Sequence, residues 1–258
     1  MNSIKNHLYF LLILLLGSGS ICAAAPLRVV CIGDSITQGR GNRNGSGAEV
    51  VSTDGWRYAF WKNCVAAGYP IEFVGSTDTG FESTPAYAEF QGHKFSNLHE
   101  AHWGWTAEQL RDQLKTTSAL WTADLALVYL GTNREPQSDE DKISDPEGVA
   151  RTVAAMRSIV EILRANNPKI AIVLRSPGGD VPRNQQLEAA YQKMANDLET
   201  PSSPISVVLQ GPDWQWDPKA PNTDTVDGCH PNKKGDRKIA DGFFQKRPHQ
   251  LAGPAEKR

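Results

Sequence analysis

Residues 27–39 read Leu27-Arg28-Val29-Val30-Cys31-Ile32-Gly33-Asp34-Ser35-Ile36-Thr37-Gln38-Gly39. A run apolar nearly throughout, without alternation, is what a parallel strand covered on both faces requires. Gly33 then permits a sharp turn, and the polar pair Asp34 and Ser35 stands at the strand's carboxyl end. Four more short apolar runs follow: Ile71 to Val74, Leu125 to Leu130, Ile170 to Leu174 and Ile205 to Leu209. Segments with helical spacing lie between them. Asp145 can cap one helix, and Pro146 suits its first turn. Val149, Val153, Met156, Val160 and Leu163 mark its inner face, and Asn166-Asn167-Pro168 stops it. Leu187, Tyr191, Met194 and Leu198 mark another helix in the same way. Thr106 with Gln109 forms a capping box ahead of Leu110 and Leu114, and Asn232 is placed to cap a last helix with Ile239 and Phe243 inward. Strand and helix in alternation predict an α/β fold, a doubly wound parallel sheet with right-handed crossovers. Ligands in such sheets bind beyond the carboxyl ends of the strands.

The ends of the chain read differently. Lys5, the unbroken apolar stretch Leu8 to Leu16 and the small residues of Cys22-Ala23-Ala24-Ala25 have the pattern of a secretory signal peptide over 1–24. Its apolar run is too short to span a bilayer, so no stable membrane insertion is expected after cleavage, and the localisation expected is secreted or periplasmic. Residues 26–245 then form one domain, and 246–258 a polar tail. The formal net charge of -2, with no basic stripe, gives no electrostatic support for a nucleic-acid partner. With Cys22 removed, Cys31, Cys64 and Cys229 remain, and an odd number leaves at least one free thiol. Cys229 reads as a small filler in its turn. Two long loops, roughly 76–105 and 209–226, carry much of the aromatic and polar set, and loops of that length are usually functional or disordered.

Chemistry gathers at the strand ends. Ser35 reads equally as a nucleophile or as a helix cap. Far downstream, Asp227-Gly228-Cys229-His230-Pro231 sets an Asp and a His three residues apart. His230 can serve as the base that removes a serine proton, and Asp227 can fix its tautomer and stabilise the imidazolium. Gly131-Thr132-Asn133 follows the third long apolar run. Asn133 reads as an oxyanion donor or as a plain turn residue, and the backbone N–H groups of Ser35 and Gly104 are further candidate donors. Gly104 sits in His99-Glu100-Ala101-His102-Trp103-Gly104-Trp105-Thr106. His99 and His102 fall one residue short of zincin spacing, so they read as loop histidines serving hydrogen bonds, with no metal expected. Trp103 and Trp105 suit a sugar-binding cleft or simple packing. Asp34 and Arg134 complete the candidate substrate contacts.

Four blocks now stand in order: Ser35 in Gly-Asp-Ser, Gly104, Asn133 in Gly-x-Asn, and Asp227-x-x-His230. In this the chain resembles the GDSL, or SGNH, hydrolase superfamily. His-Glu-x-His-x-Gly-x-Thr at 99–106, Glu72 to Ser76, Gly55-Trp56-Arg57 and Asp227 to Asn232 are similar to the acetylesterases of carbohydrate esterase family 3. The resemblance runs from about 28 to 244. It implies a three-layer, flavodoxin-like fold with a five-stranded sheet in the order 2-1-3-4-5. It also implies Ser35 as nucleophile, His230 as base, Asp227 as its partner, an oxyanion hole of Ser35, Gly104 and Asn133, and no metal or organic cofactor. The chain departs from the family pattern at Arg134, where an Asp is usual.

The expected activity is removal of a small acyl group, acetyl foremost, from an acylated carbohydrate by a serine esterase. Two rivals remain open. One is a lipid or thioester hydrolase on the same scaffold. The other is a non-catalytic carbohydrate-binding protein.

Overall fold

A computed structural model describes residues 25–39, 55–80, 87–134, 145–179 and 181–247. The stretch 1–24, where a signal peptide is expected, and residues 248–258 of the expected tail lie outside the described residues.

The first strand, β1, spans Leu27–Gly33 and lies between β2, Ile71–Val74, and β4, Leu125–Tyr129. β5, Ala171–Arg175, and β6, Ile205–Val208, continue the sheet. All pairings are parallel, and the order is β2-β1-β4-β5-β6. β3, Glu100–Ala101, is an addition: two residues that pair with Ile32 and Gly33 of β1, beyond the register that β2 occupies. With that short strand left uncounted, the order is the expected 2-1-3-4-5. Sequence reading passed over β3 because two residues carry no periodicity.

Alternate side chains of the sheet feed two cores, as the period of a strand dictates. Val30, Ile32, Val128 and Leu174 pack with α3, Ala107–Thr117, α4, Pro146–Asn166, and α5, Pro182–Leu198. Val29, Cys31, Leu127 and Tyr129 pack with α2, Gly55–Ala66, and α6, Lys233–Lys246. That second core is aromatic: Trp56 stacks on Phe243 with ring centroids 4.7 Å apart, joining α2 to α6. The three layers are thus in place.

The caps behave as their residue types predict. Asp145 accepts from Gly148 N at the start of α4, Thr106 and Gln109 form the reciprocal box at the start of α3, and Asn232 accepts from Lys234 N and Gly235 N. Helix α6 runs to Lys246, and Arg247 donates to the Phe244 carbonyl and the Tyr69 hydroxyl. The packed fold therefore includes the first two residues of the 246–258 stretch. Among the described residues, no helix is long and apolar enough to cross a membrane.

Candidate active site

At the carboxyl end of β1 the chain turns straight into a four-residue helix, α1, Ser35–Gln38. Gly33 has to be glycine, because a Cβ there would lie 2.4 Å from Thr37 Cβ and 2.8 Å from the Tyr129 carbonyl oxygen. Asp34 caps α1 by accepting from Ile36 N at 3.0 Å. The turn is held from behind by Arg57 of α2, whose guanidinium is buried and donates to the carbonyls of Thr37 at 2.7 Å and Gln38 at 3.3 Å.

His230 Nε2 lies 2.9 Å from Ser35 Oγ. On its far side, His230 Nδ1 lies 2.8 Å from Asp227 Oδ2. The other Asp227 oxygen accepts from the backbone N–H groups of His230 at 2.7 Å and Cys229 at 3.0 Å. Three residues of spacing therefore let one carboxylate hold the backbone of the turn and the imidazole together. Partial burial works to raise the Asp227 pKa, but the His230 N–H, the imidazole and the Cys229 N–H outweigh it and hold this carboxyl below its usual range. It is thus an anion at neutral pH, as the partner of an imidazolium must be. Burial first, then Asp227 and Asp34, push the Cys229 thiol up to about 11, so it is not a thiolate beside the histidine. All three described cysteines are free.

Gly104 lies in the turn His102–Trp105, closed by Trp105 N donating to the His102 carbonyl at 3.2 Å. Its φ of +77° is the left-handed conformation that glycine takes at no steric cost. The turn is pinned by Gln38, whose Oε1 accepts from Trp103 N at 2.7 Å. Asn133 donates one amide hydrogen to the Trp105 carbonyl at 3.1 Å, which leaves its second for another acceptor. Among the described residues, neither Ser35 N nor Gly104 N has a hydrogen-bond partner. The segments carrying Ser35, Gly104 and Asn133 are thereby tied to one another through Gln38 and Trp105.

The candidate substrate contacts come out differently. Asp34 is fully buried and serves as a helix cap, so it offers no surface to a substrate. Trp103 stacks on His230, with centroids 4.7 Å apart and planes 11° apart, and Trp105 stacks on His102 at 4.1 Å. Neither indole lines the cavity bounded by Ile36 and Cys229 or the one that adjoins it at Trp216. Arg134, half-buried, neighbours Arg183, whose guanidinium is held below its ordinary pKa first by burial and then by that second cation. His99 is buried with both ring nitrogens engaged: Nδ1 accepts from Ala101 N and Nε2 donates to the Thr79 carbonyl. His102 Nε2 lies 2.7 Å from Gln113 Nε2. Both are hydrogen-bonding histidines of the loop.

Sequence reading assigned no role to three residues here. Gln38 and Arg57, the latter quoted only within the Gly55-Trp56-Arg57 motif, act through contacts between distant segments. Trp216 lines the cavity beside Ile36 and Cys229; the aromatic content of its long loop was the only signal.

A family description, "GDSL-like Lipase/Acylhydrolase family", matches residues 31–238. Among solved structures, a carbohydrate esterase family 3 protein from Talaromyces cellulolyticus is 24% identical, with a TM-score of 0.61 over 87% of this chain and 98% of that one. An acetyl esterase mutant with acetate ion is 22% identical, with a TM-score of 0.63 over 87% and 98%. A family 3 carbohydrate esterase from Clostridium thermocellum is 20% identical, with a TM-score of 0.61 over 89% and 100%. These likenesses establish a shared fold. No curated protein matches the chain.

Proposed function

Because the chain belongs to the GDSL-like lipase/acylhydrolase family and is therefore an ester hydrolase, we propose that it is a secreted serine esterase that removes acetyl groups from carbohydrate. The observation that carries the reading is the hydrogen-bonded line from Asp227 through His230 to Ser35, at 2.8 and 2.9 Å. Ser35 Oγ attacks the ester carbonyl while His230 Nε2 takes its proton. The carbonyl oxygen becomes an anion that the N–H groups of Ser35 and Gly104 and the free amide hydrogen of Asn133 receive. Collapse of the intermediate expels the sugar hydroxyl oxygen, which His230 protonates. Water, deprotonated by His230, then hydrolyses the acetyl-serine and releases acetate. The acetyl and carbohydrate parts of the reading are supported by folds shared with carbohydrate esterases, one of them an acetyl esterase with acetate.

The test is release of acetate from acetylated glycans and of p-nitrophenol from p-nitrophenyl acetate. Ser35→Ala and His230→Ala are expected to lose on the order of 10⁴–10⁶ in kcat with the fold intact. Asn133→Ala is expected to lose roughly 100- to 1000-fold, mainly in kcat, as removal of an oxyanion donor does. A Ser35→Ala protein keeping more than about a tenth of wild-type turnover sinks the triad.

A further inference from the structure

Two cavities lie side by side beyond the carboxyl ends of β4 and β5. The inner one, about 440 Å³, touches Ile36 and the Gly228–Cys229 pair and runs outward past Val181. The outer one, about 260 Å³, is bounded by Gln185, Glu188 and Gln210. They share Pro177, Gly178, Gly179, Asn184 and Trp216, so they are two ends of one cleft.

We propose that this cleft binds two consecutive rings of a neutral oligosaccharide, the acylated ring in the inner cavity and its neighbour in the outer one, with Trp216 as the wall common to both. The proposal rests on the carbohydrate-esterase reading above and extends it to the length and charge of the substrate.

The change in lining along the cleft decides the ligand class. Ile36, Pro177 and Val181 give the inner cavity apolar walls, which alone would also admit an acyl chain. The outer cavity turns polar, with two amides, a carboxylate and an indole beyond the shared residues, which a hydrocarbon tail would leave without partners. Among the described residues, no Lys or Arg lines either cavity, so no described cation there recognises a phosphate or a uronate. Hydroxyl groups with apolar ring faces between them match what remains.

Donor and acceptor are both set. Gln210 Oε1 accepts from the buried Arg175 guanidinium at 2.7 Å, which fixes the amide and leaves Nε2 as a donor. Asn184 Nδ2 donates to the Gly178 carbonyl at 2.7 Å, which leaves its Oδ1 as an acceptor. Trp216 is fixed as well. Its Cζ2 lies 2.7 Å from where a Gly178 Cβ would stand, so the indole seats against backbone that no side chain separates from it.

The cleft also lies on the side of the site where a leaving sugar has to be. Its inner wall is Gly228 and Cys229, directly before His230, and His230 Nε2 must reach the leaving oxygen. One hydroxyl joins the two parts: Thr225 Oγ1 donates to the Trp216 carbonyl at 2.7 Å and accepts from Gly228 N at 3.1 Å. The wall of the cleft and the turn that carries the histidine are thus parts of one frame.

The experiment compares kcat/KM for singly acetylated mono-, di- and tetrasaccharides of xylose, glucose and mannose in wild type, Trp216→Ala, Glu188→Ala and Gln185→Ala. For at least one sugar, the disaccharide is expected to beat the monosaccharide by about tenfold, roughly what truncating one interface hot spot removes. The advantage is expected to shrink to within about twofold in Trp216→Ala and to fall in the two α5 variants, which also serve if Trp216→Ala does not fold. Equal rates on one ring and two in wild type overturn the proposal, as does an advantage that survives all three substitutions. A steep climb from p-nitrophenyl acetate to the octanoate overturns it too, because the inner cavity would then hold the acyl chain. If no ester is hydrolysed at all, the esterase reading fails by itself. The cleft is then decided by calorimetry with the unacetylated tetrasaccharides: binding weakened about tenfold by Trp216→Ala upholds it, and no binding overturns it.

Discussion

Asp34 and Ser35 are adjacent residues at one strand end, yet only Ser35 presents its side chain to the histidine. The Asp34 carboxyl is sealed in, and burial pushes it up to about 6, with the Ile36 N–H only partly offsetting the shift. Its folded pKa thus exceeds the ordinary value of 3.8. The folded chain holds this proton more tightly than the unfolded one, so the stabilisation is complete below the unfolded pKa and is lost as pH rises through about 6. The size is on the order of 2–3 kcal/mol. Asp34→Asn keeps the capping oxygen and removes the titration, so its thermal midpoint should fall less than that of wild type between about pH 4 and pH 7.5. Parallel curves would sink this account. The three residues that sequence singled out as a triad and the structure brings together share a trait: Asp227 and His230 meet across a three-residue turn, and Ser35 sits where a strand ends. Asp34, a candidate substrate contact by sequence, is instead the helix cap that its residue type also allows, because the layers close over it. Arg57 and Trp216 owe their places to segments far from them in sequence, which no local spacing announces.

Among the elements, legibility followed pattern strength. Helices α3, α4, α5 and α6 were visible because one stripe of each is apolar, and on α3, α4 and α6 the capping side chain does what its type predicts. Helix α2 carried no such stripe: Trp56, Arg57, Tyr58, Phe60 and Trp61 are all buried, so its pattern runs nearly all round. The capping box of α3 has a direct test. Thr106 Oγ1 accepts from Gln109 N and Gln109 Oε1 accepts from Thr106 N. Thr106→Ala should cost about 1 kcal/mol, which lowers the thermal midpoint by roughly 2–4 °C in a domain of this size. Thr106 follows the turn that holds Gly104, so Gly104→Ala is the informative companion. At a φ of +77° with open space around the added Cβ, any loss comes from the backbone and not from a clash. It should cost roughly 1–2 kcal/mol and depress kcat more than Thr106→Ala does. Equal kcat in the two variants would separate that turn from the oxyanion.

At the scale of the whole molecule, the two cores do different work. The aliphatic one fastens α3, α4 and α5 to the sheet, and the aromatic one fastens α2 and α6. Phe243 is fully buried against Trp56, so Phe243→Ala should cost about 3–5 kcal/mol. Urea denaturation measures this, with the midpoint falling and the slope unchanged. A cost under about 1 kcal/mol would mean that the α2–α6 contact relaxes freely. The general architecture was readable because unbroken apolar runs alternating with amphipathic segments admit few arrangements, whereas the sides on which aromatic loops close were not encoded in any period. Ser35 and His230 meet across 195 positions of sequence. On the mechanism proposed above, translation delivers Ser35 195 positions ahead of His230. Until the turn that carries His230 has been synthesised and seated at the end of β1, the serine would be mute. In a refolding reaction the esterase signal would then be a clock for that docking event, lagging the appearance of secondary structure.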